Sequence, residues 1–155
     1  WGQLGTVSSS SSLTLSSEPL LSEIHISGLP TFHAQVRSNS CNGGQLFLTI
    51  SDGTSGLRLG HATMDLRYRD GGYTAKSVTQ FTEYTMQIEF NPMDVVIPEG
   101  HVIQLEITES GEDYLPSTCA SVGVTLVDAE QPLALPLIDR PSNDNRWFEV
   151  PAWWE

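Results

Sequence analysis

Lysine is almost absent from this chain of 155 residues. Lys76 is the only one, and seven basic residues in all face 19 acidic ones, for a net charge of −12. A surface of that sign repels phosphate backbones and anionic lipid, which argues against nucleic-acid and membrane-surface partners. Cationic ligands or a salty environment are compatible with it, and plain solubility is the simplest account. Long apolar runs are missing too, so no transmembrane helix is expected. The N-terminus lacks the basic and apolar regions of a signal peptide. It opens Trp1-Gly2 without Met, which suggests a piece of a longer chain.

Cysteine is scarce: Cys41 and Cys119 are too few for a disulfide framework. They can form one bridge if their loops lie at the same end of the domain. Free, partly buried thiols are the alternative. With 39% hydrophobic residues the chain can still build one core and hide about 70% of its unfolded surface, with no need of staples or structural metal.

Helical periodicity is also lacking. A short turn of helix between Tyr73 and Thr82 is the one candidate. Elsewhere the period is two. Ala62, Met64, Leu66 and Tyr68 alternate with His61, Thr63, Asp65, Arg67 and Arg69. Tyr84, Met86, Ile88 and Phe90 alternate with Thr85, Gln87 and Glu89. The pattern recurs at Phe32-Ala34-Val36, Leu46-Leu48-Ile50, His101-Ile103-Leu105-Ile107 and Val122-Val124-Leu126. Such strands have one buried and one wet face, as in antiparallel sheets. Glycine-bearing turns separate them, among them Asn42-Gly43-Gly44, Asp52-Gly53, Asp70-Gly71-Gly72 and Pro98-Glu99-Gly100. Leu133, Leu135 and Leu137 suggest a last strand, interrupted by Pro136 and therefore at an edge or bulge. The expectation is an all-β antiparallel sandwich of jelly-roll type with about eight strands. Residues 1–12 read as a Ser-rich linker, 13–140 as the jelly-roll domain and 141–155 as an aromatic tail.

A catalytic nucleophile motif is the most informative absence. Serine hydrolysis of the α/β-hydrolase kind uses Gly-x-Ser-x-Gly on a strand-to-helix turn, and no such segment occurs. No histidine stands in a context that marks a triad, so no catalytic residue is assigned. His25, His33 and His61 fall on outward strand faces, where a zinc site would need those faces to meet. His101 falls in phase with Ile103 and Leu105, as a core histidine held by a hydrogen bond. Glu109, Glu112 and Asp113 crowd one loop. Oxygen-rich loops can hold Ca2+, and a solvated acidic loop is the bland alternative. Trp147, Trp153 and Trp154 lie in the tail. Exposed tryptophans can stack on sugars, whereas docking on a neighbouring domain explains the same residues without a ligand.

Five segments in order resemble a known family. They are Ser17-Glu18-Pro19-Leu20 with Ile26-Ser27-Gly28-Leu29-Pro30; Gln45 through Gly53; Leu59-Gly60-His61-Ala62 into Leu66-Arg67-Tyr68-Arg69; Val96-Ile97-Pro98-Glu99-Gly100-His101 into Ile107; and Leu133 through Ile138. Together they are similar to the C-terminal domain of the X-Pro dipeptidyl-peptidase and cocaine esterase family of serine hydrolases. The resemblance implies a galactose-binding-like jelly roll that packs on an α/β-hydrolase domain of the same parent chain, where the triad lies. It implies an accessory role for this chain, with no catalytic residue carried over. A free-standing carbohydrate-binding module and a structural or self-associating domain are the competing expectations.

Overall fold

The computed structural model describes residues 6–7, 12–39, 43–109, 124–128 and 133–138. In chain order the strands are β1 (Thr6–Val7), β2 (Leu13–Ser16), β3 (Ile24–Gly28), β4 (Thr31–Ser38), β5 (Gln45–Asp52), β6 (Leu57–Asp65) and β7 (Glu83–Glu89). There follow β8 (Met93–Ile97), β9 (Ile103–Thr108), β10 (Val124–Asp128), β11 (Leu133–Ala134) and β12 (Leu137–Ile138). Every pairing is antiparallel. One sheet runs β1-β10-β4-β11 with β7 also on β4. A second runs β2-β9-β5-β6, and a third runs β12-β3-β8. The expected all-β sandwich is therefore the fold observed.

Alternation along each strand decides what the sheets bury. In β4, Phe32, Ala34, Val36 and Ser38 are buried while His33 and Gln35 face out. In β7, Met86 and Ile88 are buried between exposed Thr85, Gln87 and Glu89. Leu46, Leu48 and Ile50 of β5 and Leu105 and Ile107 of β9 complete one continuous core with Ile26, Phe90 and Ile97. Each fully buried side chain of this size contributes about 1.5–3 kcal/mol relative to exposure.

Three features depart from the sequence pattern. Alternation suggested that β6 continues through Arg69, but the strand stops at Asp65 and residues Leu66–Tyr68 form a 3-10 turn. The cause is local: Asp65 caps that turn by accepting the Arg67 N–H at 2.8 Å. The helical turn expected between Tyr73 and Thr82 is absent, and the one helical element among the described residues, Leu66–Tyr68, lies just upstream of it. The closing strand is two strands. Leu133–Ala134 pair with β4, Leu137–Ile138 pair with β3, and Pro136 lies between the two sheets. Proline offers no N–H to a ladder, while its carbonyl accepts from Ser27 N at 3.0 Å. Gly28 packs here with φ 133°, and a Cβ on it would meet the Pro136 ring at 3.2 Å. Thr6 and Val7, inside the span expected to be linker, pair with Thr125 and Val124.

The register defines two ends. Asp52, Leu57 and Ile103 lie at the end closed by the β5–β6 hairpin. Ser38, Gln45, Asp65, Glu83, Thr108 and Val124 lie at the opposite end.

Candidate functional site

At the hairpin end, His101 Nδ1 and Asp52 Oδ2 are 2.7 Å apart. Asp52 also accepts from Ser55 Oγ at 2.6 Å, from Thr54 N at 2.9 Å and from Ser55 N at 3.3 Å. These bonds hold its carboxyl well below the usual carboxylate range, the Ser55 hydroxyl contributing most and His101 and the two amides adding to it. Around the pair, Gly53 N donates to Val102 O, Leu20 N donates to His101 O and Gly100 N donates to Leu20 O. Three of the segments that carry the family resemblance thus meet in one knot. His101 is held by a hydrogen bond, as expected, but its side chain is 27% exposed, so it is not a core residue. The physical reason is that β9 begins only at Ile103, which leaves His101 in the turn.

A carboxylate-oriented histidine is two-thirds of a hydrolytic triad. The hydroxyls of the knot are engaged otherwise. Ser55 Oγ donates to Asp52, Ser17 Oγ donates to the Glu18 carbonyl, and Thr54 Oγ1 accepts from Val102 N. The pair is a clamp that fastens the β8–β9 turn to the hairpin.

The other histidines do not meet. His25 lies on the three-stranded sheet, His33 on the five-stranded sheet and His61 on the four-stranded one. His33 is exposed and His61 half-buried. His25 does lie on the outer face of β3, yet it is 5% exposed and not open to solvent. It is flanked across the sheet by Val96 and Ile138, and it pairs with Asp94. Among the described residues no group of three or more metal-ligating side chains gathers. Glu109 is buried at the end of β9; Glu112, Asp113, Trp147, Trp153 and Trp154 lie outside the described residues. Cys41 and Cys119 do so as well, although the strand ends that bracket them, Ser38 and Gln45, Thr108 and Val124, all lie at the same end.

The second candidate site is the crossing from β6 to β7, residues 66–82, which carries the chain from one sheet to another. Connections of this length without regular strands are uncommon in compact domains and usually functional. Its root is buried: Leu66 and Val78 enter the core, Val78 at 2% exposure. Leu66 N donates to Gly44 O, Lys76 N to Arg67 O, and Phe81 N to Ser38 O. Arg67 grips the Asp65 carboxylate through Nη2 at 2.6 Å and Nε at 3.0 Å. Lys76 pairs with Asp70. Arg69 stacks over the Tyr84 ring, 4.2 Å from its centroid, and donates to Leu66 O and Ser77 O. The Thr79 N–H, donating to Tyr84 Oη at 2.8 Å, holds the phenol below its ordinary pKa, and the charge of Arg69 adds to this.

From this braced corner Tyr68, Tyr73 and Phe81 project into solvent, Tyr73 fully and Phe81 at 62%. Phe81 is the one non-glycine residue with positive φ among the described residues, at 60°. A cleft of about 530 Å3 lies on one flank, lined by Thr63, Arg69, Asp70, Gln87 and Glu89. A smaller one of about 210 Å3 lies on the other, lined by Arg67, Tyr68, Tyr73 and Lys76. The sequence pattern reads Leu66 through Arg69 as strand, Asp70-Gly71-Gly72 as a turn and Tyr73 to Thr82 as a candidate turn of helix, and so misses the corner as one unit. The available signal was clustering: three of the chain's seven basic residues fall between positions 67 and 76.

Among the described residues the chain is a β-sandwich with a partly exposed Asp52–His101 clamp at one end and a braced aromatic corner at the other. The chain belongs to the family of the X-Pro dipeptidyl-peptidase C-terminal non-catalytic domain, whose model matches residues 2–130. Solved structures agree on the fold. The chain is similar to an alpha-amino acid ester hydrolase (TM-score 0.66, 20% identity), covering 82% of this chain and 25% of that one. It is similar to a CocE/NonD family hydrolase from Staphylococcus aureus (TM-score 0.68, 9% identity), covering 88% of this chain and 34% of that one. An aminopeptidase from the marine sediment archaeon Thaumarchaeota archaeon gives TM-score 0.64 at 16% identity, covering 81% and 25%. The chain therefore spans a quarter to a third of the length of these structures. No curated protein matches it.

Proposed function

We propose that this chain is the accessory domain of an X-Pro dipeptidyl-peptidase-like serine hydrolase, a peptidase or an acyl esterase. On this reading it is a galactose-binding-like jelly roll. It packs on an α/β-hydrolase domain of the same parent chain, which holds the Ser-His-Asp triad. The observation that carries the reading is the match over residues 2–130 to a domain described as non-catalytic. The absence of Gly-x-Ser-x-Gly from the chain points the same way. Trp147, Trp153 and Trp154 belong, on this reading, to the contact with the hydrolase domain, and Asp52–His101 keeps the domain's own turn in place.

The test is direct. The isolated 155-residue chain is expected to release no p-nitroaniline from an Ala-Pro anilide and no p-nitrophenol from short acyl esters. It is also expected to take no label from a fluorophosphonate. Turnover that follows the purified chain through two columns would overturn the reading.

A further inference from the structure

The corner 66–82 is braced beyond what a connection between two strands requires. Its backbone is tied to Gly44 and Ser38 on neighbouring strand ends, and Gln80 Nε2 donates to Asn39 O at 2.7 Å. Its three cations are each held, by Asp65, by Asp70 and by the Tyr84 ring. Yet it exposes three aromatic rings, one of them on a residue in the left-handed region. Strained backbone persists where the surroundings over-determine it, and it clusters at functional positions. Tyrosine and arginine are the residue types that anchor protein interfaces, because they bring large area at small entropic cost. The corner offers both knobs and holes: Tyr68, Tyr73 and Phe81 as knobs, and the two clefts beside them as holes.

Charge narrows the occupant. Arg67, Arg69 and Lys76 against Asp70 and the gripping Asp65 give the corner a net +1, which leaves −13 for the rest of the chain. A second copy would bring its own −12 and be repelled as a whole. A domain already tethered in the same polypeptide meets the corner without that handicap, and an acidic rim on it is attracted there. The similar solved structures are about two and a half to three times the length of this chain, so ample partner surface exists in proteins of this architecture.

We propose that residues 66–82 form the surface by which this domain seats on the hydrolase domain of its parent chain, an inference that rests on the accessory reading above. Tyr73 and Phe81 enter an apolar depression of that domain, and Arg67, Arg69 and Lys76 face carboxylates around it.

Hydroxyl-radical footprinting of the isolated chain and of the full-length polypeptide reads this out residue by residue. Tyr68, Tyr73 and Phe81 are expected to oxidise about fivefold more slowly in the full-length polypeptide, as fits the dry centre of an interface. Leu21 and Leu57, exposed at the opposite end, should be unchanged. Tyr73→Ala, at a fully exposed position, should leave the melting temperature of the isolated chain unchanged and restore fast oxidation of Phe81 in the full-length polypeptide. Unprotected Tyr73 and Phe81, with protection instead at Val96 and Ile138, would overturn the proposal in favour of the outer face of the three-stranded sheet. Protection that appears in the isolated chain and vanishes on dilution would overturn it in favour of a second copy. A full-length polypeptide with no fluorophosphonate-reactive serine would sink the accessory reading and this occupant together.

Discussion

Phe81 permits a test in which two small substitutions are expected to reverse their usual order. Its φ of 60° lies in the left-handed region, where a Cβ crowds the backbone. For an L-residue that geometry costs about 1–2 kcal/mol. Alanine retains the Cβ and glycine does not. At an ordinary position Gly is less stable than Ala by about 0.5–1 kcal/mol, because it loses more freedom on folding. At position 81 the strain outweighs that loss. Both variants remove the same ring, so its contacts cancel in the comparison. Phe81→Gly should therefore be more stable than Phe81→Ala by about 0.5–1 kcal/mol. In a domain of this size the difference corresponds to about 2–3 °C in melting temperature. Urea melts of both variants, with equal slopes, measure it. An alanine variant as stable as the glycine variant, or more so, would refute the claim that the corner holds Phe81 under strain.

Two further outcomes follow from the same geometry. Because the folded state holds the Asp52 carboxyl below its unfolded value, its contribution to stability is present above about pH 4 and is lost as the pH falls further. Asp52→Asn should thus be less stable than the parent chain at pH 7, with the gap narrowing in acid melts from pH 4 to pH 2; a constant gap would contradict the clamp's electrostatics. Gly28→Val should destabilise by about 2 kcal/mol or more, since it adds a β-branched side chain at φ 133° against the Pro136 ring. A thermal melt indistinguishable from that of the parent chain would contradict the tight crossing of β3 and the segment before β12.

The sandwich was legible because a two-sided strand writes its burial into alternate residues. Leu46, Leu48 and Ile50, or Met86, Ile88 and Phe90, need no knowledge of their partners to be recognised as a buried face. Alternation failed at Leu66, where the core position is real but the chain reaches it through a 3-10 turn. The side chain of Asp65 decided that locally. It misled at His25, whose face was read correctly while its burial arises among strands far away in sequence, with Val96 and Ile138 as its register partners and Asp94 as its ion-pair partner. The bond from His101 was foreseen without its partner, because Asp52 lies 49 positions away. The corner was not legible as a unit. Leu66 to Arg69 carry the strand-like alternation, the residues after them carry none, and only the fold shows that Leu66 and Val78 anchor the segment while Tyr73 and Phe81 stand clear of it. Four of the five segments that resemble the family lie inside the matched residues 2–130, and the fifth, Leu133 through Ile138, lies beyond them. Three of the five are bound together at the hairpin end.

The central claim is that the chemistry lies outside these 155 residues and that this domain supports it. A fluorophosphonate probe reacted with the full-length polypeptide, followed by peptide mass spectrometry of the labelled site, addresses that claim most directly. The account predicts a single labelled serine outside residues 1–155, within a Gly-x-Ser-x-Gly segment. A label on Ser17, Ser55 or any other serine of the present chain would contradict it.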